Sequence, residues 1–350
     1  MKMGSKYPNI DRLLSAFCLE EPDRVPNLEY WITSVPVLEY VLGKRFSSDV
    51  DTWTTLPPED MIKFAERIGM DAVGVYFSWR PGELFSESSN PITHDNYLDG
   101  VIKDWDDLDK IGEPPDITED LNKLEKYIQA ARKTNVGIYA SLTSFFDGTY
   151  LAMGLQDFAI KCYRDLKFVE HVMDVLLDWH VKTAEAISDY SDELAFAFIN
   201  EDISHKGGFF LAPELFKKLW IPRMKKLLAP FKSKNMIITY HTDGALEDVI
   251  PLLIDLGFYA VHPVQPECND IYELKKKFGD KICLVGNIDT KILAYGSKED
   301  IVRDVKEHIE GLSEGGGYVL GSSTSIFDGI PPENFLTMVR ACQKYGKYGP

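Results

Sequence analysis

The sequence predicts an α/β fold, a single (β/α)8 TIM-type barrel. Two observations lead there. MIITYHTDG, ICLVGNIDT and GYVLGSSTS share one pattern, an apolar run broken abruptly by small and polar residues. Strands buried on both faces of a parallel sheet read in this way. The second half of the chain then alternates strand and helix, which implies parallel neighbours joined by right-handed crossovers.

The elements follow in order. Val25–Tyr30, Ala72–Phe77 and Val136–Leu142 supply the first three strands. Lys167–Tyr190 is a long amphipathic helix. Glu193–Ile199 is the fourth strand, and Pro213–Phe231 is a helix with proline in its first turn. Asn235–Tyr240 is a strand, and Leu246–Leu256 is a helix that stops at Gly257. Tyr259–Val264 is the sixth strand, before a helix at Ile271–Phe278. Ile282–Val285 precedes a helix at Lys298–Leu312 opened by Ser297. Tyr318–Leu320 is the last strand, and Pro332–Tyr345 the last helix. The count reaches about eight, the barrel number. Residues 1–350 read as one domain with an N-terminal extension and a rim insertion at 80–120. That insertion is rich in Pro, Gly, Ser, Asn and Asp and reads as loops, with a short helix and turn at WDDLDKIGEPP.

The bulk composition narrows the classes. The chain has 350 residues, 45% hydrophobic and 27% charged, with a formal net charge of -17. Nucleic acid or an anionic membrane surface would need a basic face, so neither is an expected partner. The five cysteines show no paired spacing, which suggests reduced thiols in a cytoplasmic protein. No window approaches a membrane-spanning length.

In a barrel of this kind, residues just past the strands face the pocket. Those residues include Trp31, Trp79, Arg80, Phe146, Glu201, Asp202, His241, Asp243, His262, Gln265, Glu267, Asn287, Asp289, Ser322 and Ser323. His241 alone fits a core histidine as well as a functional one. Asp243, two residues on, projects to the same side of an extended chain. The pair can share a proton or a metal ion. Glu201 and Asp202 fit helix capping as well as chemistry. Asn287 and Asp289 fit loop bracing as well as substrate contact.

The residues then resemble a known family. Arg12-Leu13-Leu14 through Glu21-Pro22-Asp23-Arg24-Val25-Pro26, HTDG at 241–244, Pro263-Val264-Gln265-Pro266-Glu267, Gly286-Asn287-Ile288-Asp289, Gly315-Gly316-Gly317-Tyr318 and Pro331-Pro332-Glu333-Asn334-Phe335 follow in the order of the uroporphyrinogen decarboxylase superfamily. The resemblance implies a barrel and one of two activities. True decarboxylases are similar in an arginine-bearing segment after the first strand and an aspartate after the second. Here those places read Tyr30-Trp31-Ile32-Thr33-Ser34-Val35 and Phe77-Ser78-Trp79. Thiol-methylating relatives are alike in a His-x-Cys pair and a further cysteine that hold zinc. Here His241 matches, and Asp243 and the Ser322–Ser325 segment replace the cysteines.

The expectation is a corrinoid-dependent methyltransferase, a demethylase acting on a small methylated substrate. A partner protein would carry the corrinoid. His241, Asp243 and Glu201 are the expected catalytic residues, and His241 with Asp243 the expected ligands of zinc. Trp31, Trp79, Phe146, Asp202, Gln265, Glu267, Asn287, Asp289 and Ser323 are the expected substrate contacts. The alternatives are a uroporphyrinogen decarboxylase-type carboxy-lyase and, more distantly, a corrinoid- or tetrapyrrole-binding protein without turnover.

Overall fold

The architecture is that of a computed structural model that describes residues 7–47, 56–86 and 96–348. The strands in chain order are β1 (Ala72–Phe77), β2 (Glu83–Ser86), β3 (Asn96–Gly100), β4 (Gly137–Thr143), β5 (Phe196–Asn200), β6 (Ser204–His205), β7 (Gly208–Phe209), β8 (Ile238–His241), β9 (Ala260–His262), β10 (Cys283–Val285) and β11 (Tyr318–Val319). Seven form one sheet in the order β1-β4-β5-β8-β9-β10-β11. Every pairing in it is parallel. β4 is buried at all its positions, as its unbroken apolar run requires.

The sheet is curled. Ala72 of β1, Tyr139 of β4, Phe196 and Phe198 of β5, Ala260 of β9 and Val319 of β11 meet in one inner cluster. Edge strands could not share that cluster if the sheet lay flat. Tyr139 stacks on Phe196 at 4.7 Å, and Tyr30 on Phe198 at 3.9 Å. Helix Ile10–Phe17 packs Leu13, Ala16 and Phe17 into the same cluster, with Phe17 edge-on to Phe196 at 5.2 Å. Its apolar face has nowhere else to bury. A second and larger core lies between the strands and the outer helices. The result is an α/β fold with a curled parallel sheet, consistent with a TIM-type barrel.

The expected first strand is corrected. Residues 25–30 form no regular strand, only one isolated bridge, Asn27 with Leu320, and Ile32 just beyond them bridges Ile326. Pro26 has no N–H to give to a ladder. The segment nonetheless sits between the sheet edges. The Leu28 N–H donates to Leu320 and the Leu320 N–H to Pro26, while Asn27 C=O accepts from the Asp71 N–H just before β1. Glu29 fixes it further. Its carboxylate accepts from the Ser322 N–H at 2.9 Å and the Ser322 hydroxyl at 2.6 Å.

The insertion at 80–120 holds more order than loops. β2 and β3 pair antiparallel, and Trp105–Ile111 forms a 3-10 helix capped by Asp104. Residues 87–95 of it lie outside the described part. Helices at Val35–Leu42, Pro58–Ile68, Thr118–Ala131, Phe145–Met153, Leu155–Arg164 and Thr290–Tyr295 were not expected from the pattern. Among the described residues no helix is long and apolar enough to cross a membrane.

One buried ion cluster anchors the amino-terminal part. The Arg12 guanidinium lies 2.6 Å from Asp71 and 2.5 Å from Asp23, and Arg24 lies 3.9 Å from Asp71. Asp71 also accepts from the Asn9 N–H and the Asn27 N–H. Removing one partner of such a cluster strands a charge away from water. Asp71→Ala is therefore expected to cost about 3–5 kcal/mol of stability. Urea unfolding measures it, and a loss under about 1 kcal/mol, the scale of a surface pair, would contradict it.

Burial pushes the Glu29 carboxyl up to about 8, and its two bonds from Ser322 pull it only partly back. A raised folded value favours the protonated form. Its contribution is whole below the ordinary carboxylate range and is lost as pH rises toward about 8. Glu29→Gln removes that loss. Stability of the variant relative to wild type should thus rise between about pH 4 and about pH 9, read from urea midpoints. A flat difference would refute it.

Candidate active site

Sheet register builds the site. Asn200, His241 and His262 are direct partners where β5, β8 and β9 end. The pleat then sorts the neighbours, because successive side chains point to opposite faces. His241 faces the inner side, with its ring 4.6 Å from Trp31. Tyr240 faces the helices, packing on Trp220 and Phe258.

His241 touches two kinds of partner. Its Nδ1 lies 3.0 Å from the Nδ1 of His262. Its Nε2 lies 3.6 Å from Asp202 Oδ1 and 3.8 Å from Asp243 Oδ1. One ligand atom from each of Asp202, His241 and Asp243 fits within 4.8 Å of the others. The loop that carries them is pinned. The Asp243 N–H donates to Asp202 Oδ1 at 2.8 Å, and the Thr242 hydroxyl accepts from the Ile203 N–H at 3.0 Å. Gly244 has φ +93, and a side chain there would strike the His205 backbone. Its N–H donates to Gln265 Oε1 at 2.9 Å, and the Gln265 side chain also bonds Asp243.

The electrostatics follow from burial. His241 is 7% exposed, and burial lowers its imidazole to about 4 against the pull of Asp202. His262 is lowered well below the usual range by burial and by His241. Both rings are neutral at pH 7. Burial raises Asp243 to about 7, and the Asp202 charge adds to the rise. Asp243 Oδ1 is buried and has no hydrogen-bond partner.

Beside this group lies an acidic patch. Arg80 Nη2 holds Asp147 at 2.7 Å, and its Nη1 is 3.9 Å from Glu83. Asp147 is pushed up to about 8 by burial, despite Arg80. The patch and the triad interact, since Arg80 acts on His241 and Asp202 on Asp147.

The expected site residues divide. His241, Asp243, Asp202, Trp31 and Gln265 come together. Glu201 does not join them, and the expectation that it is catalytic is corrected. Its carboxylate accepts from Trp220 Nε1 at 2.6 Å, the Tyr240 hydroxyl at 2.9 Å and the Phe146 N–H at 3.1 Å. It shares the pleat face of Tyr240, so it points to the helices. Phe146 is corrected too. Expected to face the pocket as a substrate contact, it lies in helix Phe145–Met153, fully buried against Phe158 and Phe216. Trp79 packs on Trp179 at 5.8 Å. Asp289 caps helix Thr290–Tyr295 through the Lys291 N–H. Ser323 bonds Ile288 and Thr290, and Glu267 pairs with Lys291 at 2.8 Å. Asn287 is buried with its Oδ1 unpaired.

Sequence reasoning missed Glu29 and Asp147 as buried acids. The signal for Asp147 was present, since it is the single charge in the run FFDGTYLAM. Nothing in the pattern marked Glu29, which lies in an irregular segment.

Would a divalent ion suit Asp202, His241 and Asp243? The donors are one nitrogen and carboxylate oxygens, a set that zinc accepts. The imidazole is neutral, as a ligand must be. The unpaired Asp243 Oδ1 is an acceptor that a cation would satisfy. The residues fit.

Comparison with known proteins agrees with this fold. A structure of a methyltransferase from Methanosarcina mazei matches with TM-score 0.74 and 19% identity, covering 97% of this chain and 99% of that one. A uroporphyrinogen decarboxylase of Pseudoalteromonas atlantica is 24% identical over 82% of this chain and 77% of its own length. The methylcobamide:CoM methyltransferase MtaA of Methanosarcina barkeri is 25% identical over 48% of this chain and 52% of its own. The family model described as uroporphyrinogen decarboxylase (URO-D) matches residues 57–345. The chain belongs to the uroporphyrinogen decarboxylase family, in a superfamily that also includes methyltransferases.

Proposed function

We propose that this chain is a corrinoid-dependent methyltransferase that removes a methyl group from a small substrate. One observation carries the reading: Asp202, His241 and Asp243 converge at the strand ends with an unpaired buried carboxylate oxygen among them. We take residues 1–350 as one functional unit, with 80–120 as an insertion over the mouth and the protein working in the cytoplasm. Support also comes from the relative named for methylcobamide, a methylated corrinoid.

Zinc, held by His241, Asp243 and Asp202, would act there as a Lewis acid on the heteroatom that gives up its methyl group. The chain's own residues do the rest. His241 presents a neutral nitrogen, and Trp31 walls the site against water. Asp202 holds the Asp243 backbone, and Gln265 holds its side chain. Asn287 faces no protein partner through its Oδ1 and is kept as a substrate contact. The methyl acceptor would be the cobalt of a corrinoid on a partner protein.

The second reading is a carboxy-lyase, favoured by relatives named uroporphyrinogen decarboxylase across most of the chain. Charge weighs against that substrate. Uroporphyrinogen carries many carboxylates, and arginine forks suit carboxylates best. Arg80 is already engaged by Asp147 beside Glu83, Asp202 and Asp243.

Free cob(I)alamin and a panel of methoxylated and N-methylated small molecules test the proposal. Wild type should form methylcobalamin, and His241→Ala should lose this by roughly 10²-fold or more with its fold intact. Purified wild type should hold zinc that His241→Ala lacks. Unchanged turnover in the variant removes His241 from the mechanism. Carbon dioxide released from uroporphyrinogen by metal-stripped protein establishes the second reading instead.

A further inference from the structure

We infer that His262 is a positioning residue that fixes the tautomer of His241 and so aims the His241 Nε2 lone pair at a divalent cation between Asp202 and Asp243. This deepens the metal reading above and rests on it.

The two imidazoles end adjacent strands and are register partners. Their Nδ1 atoms are 3.0 Å apart, with ring centroids at 5.2 Å. Two ring nitrogens at that distance hold a single proton between them. Two N–H groups would collide, and two lone pairs would repel. The donor is therefore either His241 or His262. If His241 carries its proton on Nδ1, its lone pair is on Nε2. If His262 is the donor, His241 carries its proton on Nε2.

The surroundings of Nε2 decide which holds. Asp202 Oδ1 and Asp243 Oδ1 face it at 3.6 and 3.8 Å. Without a cation, an Nε2–H aimed at two carboxylates is favourable, and His262 is the donor. With a cation, Nε2 must offer its lone pair, and His262 must accept. Metal-bound histidines generally donate their other N–H to an oriented acceptor. Here that acceptor is a second imidazole. His262 is held to the task. It is 2% exposed, its ring lies 4.6 Å from Tyr30, and its carbonyl accepts from the Thr242 N–H. The pair is thus a two-position relay: on cation binding the shared proton passes from His262 Nδ1 to His241 Nδ1, the Nε2 proton of His241 leaves to solvent, and His262 takes up a proton on its own Nε2.

A packing role needs only the volume of the ring. The positioning role needs an acceptor at the place of Nδ1. Asparagine offers an oxygen there, and leucine has nearly the same shape without one. The full chain, stripped of metal, is titrated with Zn²⁺ against a chromophoric chelator. His262→Leu should bind zinc about 10–100-fold more weakly than wild type. His262→Asn should lie closer to wild type than to His262→Leu. Equal affinity in wild type and His262→Leu overturns the inference.

A second measurement needs no variant. In zinc-loaded, histidine-¹⁵N-labelled wild type, one proton should be bonded to His241 Nδ1 and coupled through the hydrogen bond to His262 Nδ1. A proton bonded to His262 Nδ1 instead overturns the inference. Wild type that takes up no zinc overturns the metal reading itself, which the titration shows before any variant is compared.

Discussion

The carboxylate of Asp71 is the constraint on which the rest depends. It stands at the entrance to β1, fully buried, and gathers Arg12, Arg24 and the backbone of Asn9 and Asn27. Those partners belong to the helix that closes one end of the curled sheet and to the segment between the sheet edges. Without a fixed Asp71, that helix loses its buried ion pair to the sheet and the segment loses one of the bonds that set its register, beside those to Leu320 and Ser322. The segment matters for chemistry as well as for shape. It carries Glu29, which grips Ser322, and Trp31, whose edge meets His241. An acid at the entrance of β1, while the candidate site lies at the ends of β5, β8 and β9, thus helps set the position of one wall of that site.

Pleat parity is the second constraint. Glu201 and Asp202 are adjacent acids at one strand end, and nothing in their chemistry separates them. Their faces do. Glu201 falls with Tyr240 and Trp220 in the outer core, where three donors hold it. Asp202 falls with His241. The same parity brings His262 to His241 and sends Val261 outward to the larger core. One residue of slip in β8 would exchange the imidazole for the tyrosine and dissolve the site.

Much of this was legible in the sequence where local rules and tertiary structure agree. Ile271–Phe278, Lys298–Leu312 and Pro332–Tyr345 match the expected helices residue for residue. Each has a strong start: Asp270 and Ser297 as caps, Pro332 in the first turn. Helix Phe145–Met153 was hidden by aromatic residues that suit strands equally well. The segment at 25–30 was counted as a strand because it brings the barrel to eight, yet Pro26 has no N–H for a ladder. At the site, His241 and Asp243 were visible from their spacing alone. Asp202 was visible only as one of two acids. The pairing of His262 with His241 depends on the register of β8 against β9, across 21 residues of chain, and no local pattern encodes it.

The charges at the strand ends point to one physical requirement. Asp202 and Asp243 face the same imidazole nitrogen, and Asp147 and Glu83 stand close by with Arg80 between them. Burial raises Asp243 and Asp147 well above ordinary carboxylates, a sign that this region resists further negative charge. A site of that kind is stabilised by whatever brings positive charge to it: a proton on Asp243, a divalent ion, or a cationic group on a substrate. It is destabilised by an added carboxylate. The candidate cluster of Asp202, His241 and Asp243 offers one imidazole, two carboxylates and no thiolate. Cysteine sulfurs suit soft transfer to a thiol, whereas oxygen donors leave a bound ion harder and more electron-poor. An ion in that state polarises an ether or amine more strongly than it activates a sulfur nucleophile. On the proposed methyl-transfer reading, such a donor set favours removing a methyl group from oxygen or nitrogen over delivering one to a thiol.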